Sequence, residues 1–235
     1  MAASTRRGRR NNEQARKLEK QLVIQLDRIV NEIKASGVKD ISLLQRQHGT
    51  RVEHVLRSAI EKAYVLAAEK VVNMRRQHPS RKITKQAAAL GDLSRHFTTA
   101  LDLNNIGDKV KEYAGVFWRR MNMALHQNDV QPNTTGFSPT SKYNPNALIT
   151  SMGTSAITDT MSDATTSKLD QLGDPNQKVR WVTQHDERVC FVCNSLDGRT
   201  WDINDPSLQS PPDDTHENCR CELEPVGGGE ETTIG

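Results

Sequence analysis

Apolar side chains recur at steps of three and four through most of the first 128 residues of this 235-residue chain. Over 13–36 they form one stripe, made of Leu18, Leu22, Leu26, Ile29 and Ile33. That period is typical of an amphipathic α-helix, which must bury its apolar face against another element. The pattern predicts helices over about 13–36, 40–76, 84–100 and 105–128.

Residues at the ends of these stretches support the assignment. Gly37 is a plausible C-terminal cap for the first helix, and Asp40 is a plausible N-terminal cap for the second. Hydrophobic residues make up 35% of the chain and aromatic residues only 4%. This lean composition favours an extended helical body over a thick core. We therefore expect an all-helical region over 13–128, preceded by a disordered tail over 1–12.

The character of the sequence changes after residue 128. Pro132, Gly136, Pro139 and Pro145 stand among Asn, Thr and Ser, which predicts a linker over 129–146. A Ser- and Thr-rich stretch compatible with a helix follows, and then short alternating runs at 179–183, 199–201 and 219–225. The prediction is a mainly α protein with a small α+β unit over 147–226, in which a helix precedes a short antiparallel sheet. Residues 227–235 are Gly-rich and predict a flexible tail.

The charge distribution is uneven along the chain. The net charge is +3, but from residue 181 onward twelve Asp and Glu oppose only three Arg. A basic N-terminal region and an acidic C-terminal region suggest that the two regions face different partners. There is no run of about 18 apolar residues, so no membrane span is expected. The basic N-terminus lacks the apolar segment of a secretory signal, which predicts a protein that stays in the cytosol where it is made.

A short basic tract lies within the first ten residues. It consists of Arg6, Arg7, Arg9 and Arg10. Four such charges could contact the phosphates of double-stranded DNA and would give salt-dependent binding. The alternative is a solvated terminus without a partner, because short Arg tracts are weak motifs.

All four cysteines fall within 32 residues near the C-terminus, as Cys190 and Cys193 and then Cys219 and Cys221. In a reducing compartment such pairs are more often metal ligands than disulfides. One structural zinc ion could take the four cysteines, or three of them with His216. His185 is a further candidate ligand. The competing interpretations are reduced cysteines that only pack together, and disulfides formed after cell lysis.

A catalytic interpretation of the same segment is weaker. His185 and Glu187 before Cys190 and Cys193 resemble, in residue type, the ligands and base of zinc nucleobase deaminases. Those halves come from separate helices, whereas here two residues separate them. We therefore expect a protein that is not an enzyme and has no small-molecule substrate.

The residues around the cysteines carry a more specific resemblance. The run VRWVTQHDERVCFVCNSLDG over 179–198 is followed by Pro211 and Pro212, and then by HENCRCEL over 216–223. These elements, in this order, resemble the C-terminal domain of the phage Mu F-like minor head (head morphogenesis) proteins over about 147–226. Glu217 stands where that family often has Pro, and Phe191 replaces another frequent Pro.

The resemblance implies a minor structural component of a tailed-virus head. Such proteins associate with the portal vertex and influence head assembly, genome packaging and genome ejection. It implies the portal protein and other head proteins as partners. It also implies a location in the virion head near the portal, after assembly in the host cytoplasm. The alternative is a zinc-ribbon-like nucleic-acid-binding adaptor, in which the basic helical front binds DNA.

Overall fold

Long helices dominate the protein, as a computed structural model shows for residues 2–77, 100–126, 145–171 and 177–226. The four long helices are α1 (Ala2–Ser36), α2 (Ile41–Gln77), α3 (Ala100–Leu125) and α4 (Pro145–Gln171). They are followed by β1 (Lys178–Val182), the short helix α5 (Phe191–Leu196), β2 (Thr200–Asp202) and β3 (Glu222–Val226). This arrangement confirms the predicted fold class of long helices followed by a short antiparallel sheet.

Several predicted boundaries differ from the observed ones. Helix α1 begins at Ala2, so the backbone is helical where a disordered tail over 1–12 was expected. The Ala and Arg residues of this stretch favour a helix, which continues into the helix that the apolar stripe predicts. The predicted helix at 84–100, except its last residue, lies outside the described residues, as do most of the predicted linker and the C-terminal tail. None of the helices described is both long and apolar enough to cross a membrane.

The connection between α1 and α2 forms as the sequence predicts. Gly37 has a φ of 68°, and its N–H donates to the carbonyl oxygen of Lys34 at 3.3 Å. Glycine adopts this left-handed conformation without a steric cost. The carboxylate of Asp40 accepts hydrogen bonds from the N–H groups of Ser42 at 2.9 Å and Leu43 at 3.2 Å. Both predicted caps are thus confirmed.

The main hydrophobic core lies between the four long helices. Helix α1 contributes the predicted stripe, and α4 contributes six apolar residues: Ile149, Met152, Ala156, Ile157, Met161 and Ala164. Gly153 allows α1 and α4 to approach closely, because a Cβ atom there would lie 2.8 Å from Cγ2 of Val23. The helix predicted to belong to the C-terminal unit therefore also packs in the core of the N-terminal helices.

Helix α4 is buried on almost every side, which explains its weak amphipathic pattern. Every residue from 152 to 162 is buried, including several Ser and Thr. The hydroxyl groups of Thr160, Ser162 and Thr165 donate to the carbonyl oxygens four residues earlier, at 2.7–3.0 Å. These bonds satisfy the polar side chains within the helix itself. A central helix can therefore be rich in Ser and Thr without leaving its hydroxyls unpaired.

Two buried carboxylates hold α3 and α4 together. Asp102 accepts hydrogen bonds from Tyr64 and, at 2.6 Å, from Lys168. Asp159 accepts hydrogen bonds from Lys109 at 2.6 Å and from the Tyr113 hydroxyl at 2.9 Å. Burial raises the pKa of Asp159 to about 6, with the neighbouring Lys109 acting in the opposite direction.

The raised pKa of Asp159 gives a testable pH dependence. Because it lies above the ordinary value of 3.8, the folded state binds more protons than the unfolded state between about pH 4 and 6. This stabilising contribution is complete below pH 4 and is lost as the pH rises through about 6. Asp159→Asn removes the titration. We expect the stability of the variant relative to wild type to increase by up to about 3 kcal/mol from pH 4 to 6.

Urea unfolding of both proteins at pH 4, 5, 6 and 7 measures this difference. Asp163→Asn is the matched control, because Asp163 also contacts Lys109, at 2.9 Å, but its side chain is 51% exposed. We expect its stability difference from wild type to vary less with pH than that of Asp159→Asn. Parallel stability curves for wild type and Asp159→Asn would contradict the assignment.

The small sheet has the order β2–β1–β3, with both pairs antiparallel. Trp181 on the central strand β1 pairs with Leu223 on β3. A tight turn joins α5 to β2, with Gly198 at a φ of 78°. A second core lies against this sheet and contains nine buried residues: Val71, Leu169, Val179, Trp181, Cys193, Leu196, Cys219, Cys221 and Leu223. Three of the four cysteines are therefore part of a hydrophobic core.

Candidate metal centre

The first half of the cysteine cluster is built at the start of α5. Cys190 caps this short helix, and its sulfur accepts a hydrogen bond from the N–H of Cys193 at 3.3 Å. One helical turn thus places both sulfurs on the same side of the chain. Cys193 is buried, whereas Cys190 is partly exposed.

The second half comes from the segment that enters β3. His216 precedes a tight turn in which Asn218 adopts a φ of 64°, a conformation that Asn tolerates better than most residues. Cys219 and Cys221 follow in a segment that leads into the strand. Both are buried, as is Leu223, so the expected alternation places these three side chains in the same core.

The two halves meet at Cys193. The Nε2 atom of His216 lies 3.2 Å from the sulfur of Cys190 and 3.3 Å from that of Cys193. The sulfurs of Cys193 and Cys219 are 3.7 Å apart. Two ligand groups result, Cys190–Cys193–His216 and Cys193–Cys219–Cys221, with all donor atoms of each group within 4.8 Å of one another. Cys193 is the member they share.

These separations fit a tetrahedral metal ion. With zinc–sulfur bonds of about 2.3 Å and zinc–nitrogen bonds of about 2.05 Å, neighbouring sulfurs lie about 3.8 Å apart and a sulfur–nitrogen pair about 3.6 Å apart. The observed sulfur–sulfur distance of 3.7 Å agrees, and the two sulfur–nitrogen distances are only a few tenths of an ångström shorter. Since five donors surround the site and a tetrahedral ion takes four, one donor is in excess.

The orientation of His216 suits it as a ligand. Its Nδ1 atom lies 2.8 Å from the carbonyl oxygen of Glu217, to which an Nδ1–H group donates. The Nε2 lone pair then faces the two sulfurs, as in metal-bound histidines whose other nitrogen donates to a carbonyl. This hydrogen bond to Glu217 is also the main cause that raises the pKa of His216.

The surroundings lower the pKa of two of the four thiols and raise the pKa of the other two. The N–H of Cys193 lowers the pKa of Cys190, and a hydrogen bond from Cys221 lowers the pKa of Cys219 to about 5. Burial raises the pKa of Cys193 to about 12, and hydrogen bonding to Cys219 raises the pKa of Cys221. Each group thus holds one thiol whose pKa is lowered. A cation would favour the ionised form of the others, so metal binding would release protons.

Side chains of α3 and α4 fix the second ligand segment in place. The hydroxyl of Thr158 donates to the carbonyl oxygen of Cys219 at 2.9 Å, and the N–H of Asn218 donates to the Ser155 hydroxyl at 3.1 Å. Arg120 donates to the carboxylate of Glu217 at 2.7 Å. Glu217 therefore attaches the ligand turn to α3.

Other contacts join the two ligand segments to each other and to α2. Arg220 forms a bidentate ion pair with Asp186, with both N···O distances at 2.7 Å. Gln184 donates to the carbonyl oxygen of Arg220 at 2.7 Å, and Lys70 of α2 pairs with the buried Glu222. Sequence reasoning missed these supporting residues. Gln184, Asp186, Arg220 and Glu222 had a signal, since they lie inside the motifs that surround the cysteines, whereas Lys70 had none.

The structure places the remaining candidates away from the cluster. The His185 ring is 68% exposed and lies near Thr183 and Asp197, at 3.4 and 3.6 Å. Glu187 is exposed, and over the described part of the chain both ligand groups contain only Cys and His. The deaminase-like arrangement is therefore not formed.

The side chains of Arg6, Arg7, Arg9 and Arg10 lie outside the described residues, so their contact with DNA stays a prediction.

Comparison with known proteins agrees with the motifs around the cysteines. The family model described as "Phage Mu protein F like protein" matches residues 149–224, which run from α4 into β3 and include all five candidate ligands. No curated protein and no solved structure matches the chain. Residues 149–224 are therefore similar to the phage Mu F-like proteins, as the sequence motifs predicted.

Proposed function

We propose that this chain is a minor head protein of a tailed virus that acts through protein–protein contacts at the portal vertex, in head assembly and in genome packaging and ejection. The family match over 149–224 carries this proposal, because it points to head morphogenesis. The partners would be the portal protein and other head proteins, and the location would be the virion head after assembly in the host cytoplasm. The proposed role involves no enzymatic turnover and no small-molecule substrate.

The way in which the matched segment is attached supports a structural role. Outside the match, Arg120 of α3 holds its ligand turn and Lys70 of α2 holds β3, while Ser155 and Thr158 of α4 hold the same turn from within the match. Such contacts fix the position of the cysteine cluster relative to the long helices. A rigid unit of this kind suits a protein that must present a defined surface to its neighbours in an assembly.

The cluster itself would hold one structural zinc ion. Thiolate and imidazole donors at tetrahedral spacing suit zinc, and a reducing host cytoplasm would keep the cysteines available. Cys190, Cys193, Cys219 and His216 are joined by the short contacts, and Cys221 is the fifth candidate. When bound, the ion would cross-link the start of α5 to the segment before β3. The Thr158 hydroxyl, which donates to the carbonyl oxygen of Cys219, and the Glu217 carbonyl oxygen, which accepts from Nδ1 of His216, would fix the donors.

Co-fractionation with viral heads tests the proposed function. An antibody raised against the purified chain should detect it in virions and in isolated portal assemblies of the virus that encodes it. Because contacts in a head are largely buried, we expect the chain to stay bound after a high-salt wash. A chain that is absent from both procapsids and virions would contradict the proposal.

A salt titration of duplex DNA binding by the purified chain distinguishes the head protein from the DNA-binding alternative. If the four arginines near the N-terminus bind duplex DNA, the logarithm of the binding constant should fall with the logarithm of the salt concentration with a slope of about 3 to 4. Replacing Arg6, Arg7, Arg9 and Arg10 by Ala should abolish that slope. Tight, salt-sensitive duplex binding by a chain that never enters heads would favour the adaptor.

A further inference from the structure

Two of the cysteines already lie in sulfur–sulfur contact across the two halves of the cluster. The Sγ atoms of Cys193 and Cys219 are 3.7 Å apart, and both side chains are 1% exposed. Twenty-five residues separate them in the sequence. One belongs to α5 and the other to the segment before β3, so a bond between them would join separate parts of the fold.

We propose that Cys193 and Cys219 form a disulfide when the protein passes from a reducing to an oxidising environment. The cluster then has two states. In one, the thiols are free or bound to metal; in the other, the disulfide joins Cys193 to Cys219. The bond itself follows from the geometry. The change of environment rests on the proposed function, because a virion assembled in the host cytoplasm is released to the oxidising outside.

The other cysteine pairs are less suitable. A disulfide needs a sulfur–sulfur distance of about 2.05 Å, so Cys193 and Cys219 must close by less than 2 Å, which small side-chain rotations can supply. Cys219 and Cys221 are two residues apart in an extended segment, where the Cα atoms lie about 6.6–7 Å apart, at the upper limit for a disulfide. Cys190–Cys193 and Cys193–Cys221 are the remaining competitors, but their sulfurs are only bounded to within 4.8 Å, a wider limit than the 3.7 Å contact of Cys193 and Cys219.

The reaction needs an oxidant, and a peroxide is sufficient. One of the two sulfurs attacks the O–O bond of hydrogen peroxide, giving a sulfenic acid and hydroxide, which becomes water by taking up the thiol proton. The second sulfur then attacks the sulfenic sulfur and displaces its hydroxyl group as water. In sum, two thiols and one peroxide give one disulfide and two waters. The two sulfurs are oxidised, and the peroxide oxygens are reduced.

The bond would reinforce existing contacts between the cluster and the helices. The carbonyl oxygen of Cys219 accepts a hydrogen bond from Thr158 of α4, and Cys193 packs in the core beside the sheet. A cross-link between them closes a loop of 27 residues in the unfolded chain. Loop-closure entropy of this size should raise the melting temperature of a chain this long by about 10 °C.

Peptide mapping tests the pairing in the full-length chain. The protein, reduced and freed of metal with EDTA, is treated with one equivalent of hydrogen peroxide, and its remaining thiols are alkylated. Trypsin then cuts after Arg188, Arg199 and Arg220, so that Cys190 and Cys193 share one peptide while Cys219 and Cys221 lie on two others. We expect a cross-link between 189–199 and 200–220, with fragmentation placing it at Cys193 and with Cys190 and Cys221 alkylated.

Matched variants make the result decisive. Cys221→Ser should keep the cross-link and the rise in melting temperature, whereas Cys219→Ser should lose both. Dithiothreitol should reverse the rise in wild type. A dominant Cys190–Cys193 bond, or four alkylated cysteines after peroxide treatment, would overturn the proposal.

Alkylation of intact virions distinguishes failure of this proposal from failure of the proposed function. A chain present in released heads with all four cysteines open to alkylation after denaturation would refute the disulfide and leave the head assignment standing. A chain that forms the bond in solution but never enters heads would refute the head assignment alone.

Discussion

Cys193→Ser should abolish stoichiometric zinc binding. Cys193 is the only cysteine shared by the two ligand groups that the described residues form, so its loss breaks both groups at once. Serine has nearly the same shape but lacks the soft thiolate that zinc prefers. We expect zinc affinity to fall by more than 100-fold, beyond the range that loss of a supporting residue produces. Metal analysis and a competition titration with a chelating dye, on protein purified under reducing conditions, measure this effect.

Two further variants show whether that loss is specific. Cys221→Ser removes a member of only one group and should leave measurable zinc binding, because the Cys190–Cys193–His216 group stays intact with Cys219 in contact with Cys193. Ser195→Ala should change nothing, since Ser195 lies on the exposed side of α5 and its hydroxyl donates only to the carbonyl oxygen of Val192. One full equivalent of tightly bound zinc in Cys193→Ser would refute the proposed metal site, as would wild type that binds none.

Trp181→Ala should cause the largest loss of stability of any single substitution in the small sheet. Trp181 is fully buried on the central strand, where it packs in the second core. Removing a buried aromatic side chain of this size leaves a cavity and costs about 3–5 kcal/mol. For a chain of this length, that corresponds to a fall in melting temperature of about 10 °C or more. Thermal unfolding followed by far-UV circular dichroism measures the change.

Trp181→Phe is the matched control for this prediction. Within the described residues, the indole Nε1 of Trp181 is buried without a hydrogen-bond partner. Phenylalanine fills much of the same space and removes that unpaired donor, whose burial is itself unfavourable. We expect a loss below about 2 kcal/mol, because the smaller cavity is partly offset. Equal losses for Phe and Ala would show that packing at this position is not the cause.

The sequence predicted the helices where one face alone is buried. Helix α1 shows its stripe because one side contacts the core and the other contacts water, and the caps at Gly37 and Asp40 depend on local geometry alone. Helix α4 lacks such a stripe because it is enclosed by other elements. Its role at the centre of the fold depends on contacts with distant residues, such as Val23, that no local pattern reveals.

The candidate site was predictable in its ligands but not in its supports. Cysteine and histidine spacing pointed directly to Cys190, Cys193, His216, Cys219 and Cys221, because few other roles require these residues so close together. No such signal marks Arg120, Ser155 and Thr158, because these residue types are common in helices. Only the fold shows that they lie beside the ligand turn. The exposure of His185 could not be predicted from the sequence either, because it depends on the path of the chain around β1.

The enclosure of α4 has a consequence for where this molecule can be divided. The family match begins at residue 149, inside α4, yet Ile149, Met152 and Met161 pack in the core formed with α1, α2 and α3. A fragment cut at the start of that match would expose these side chains to water. The limits of the matched segment are therefore limits of sequence similarity, whereas we expect the smallest autonomous folding unit to include the long helices before it.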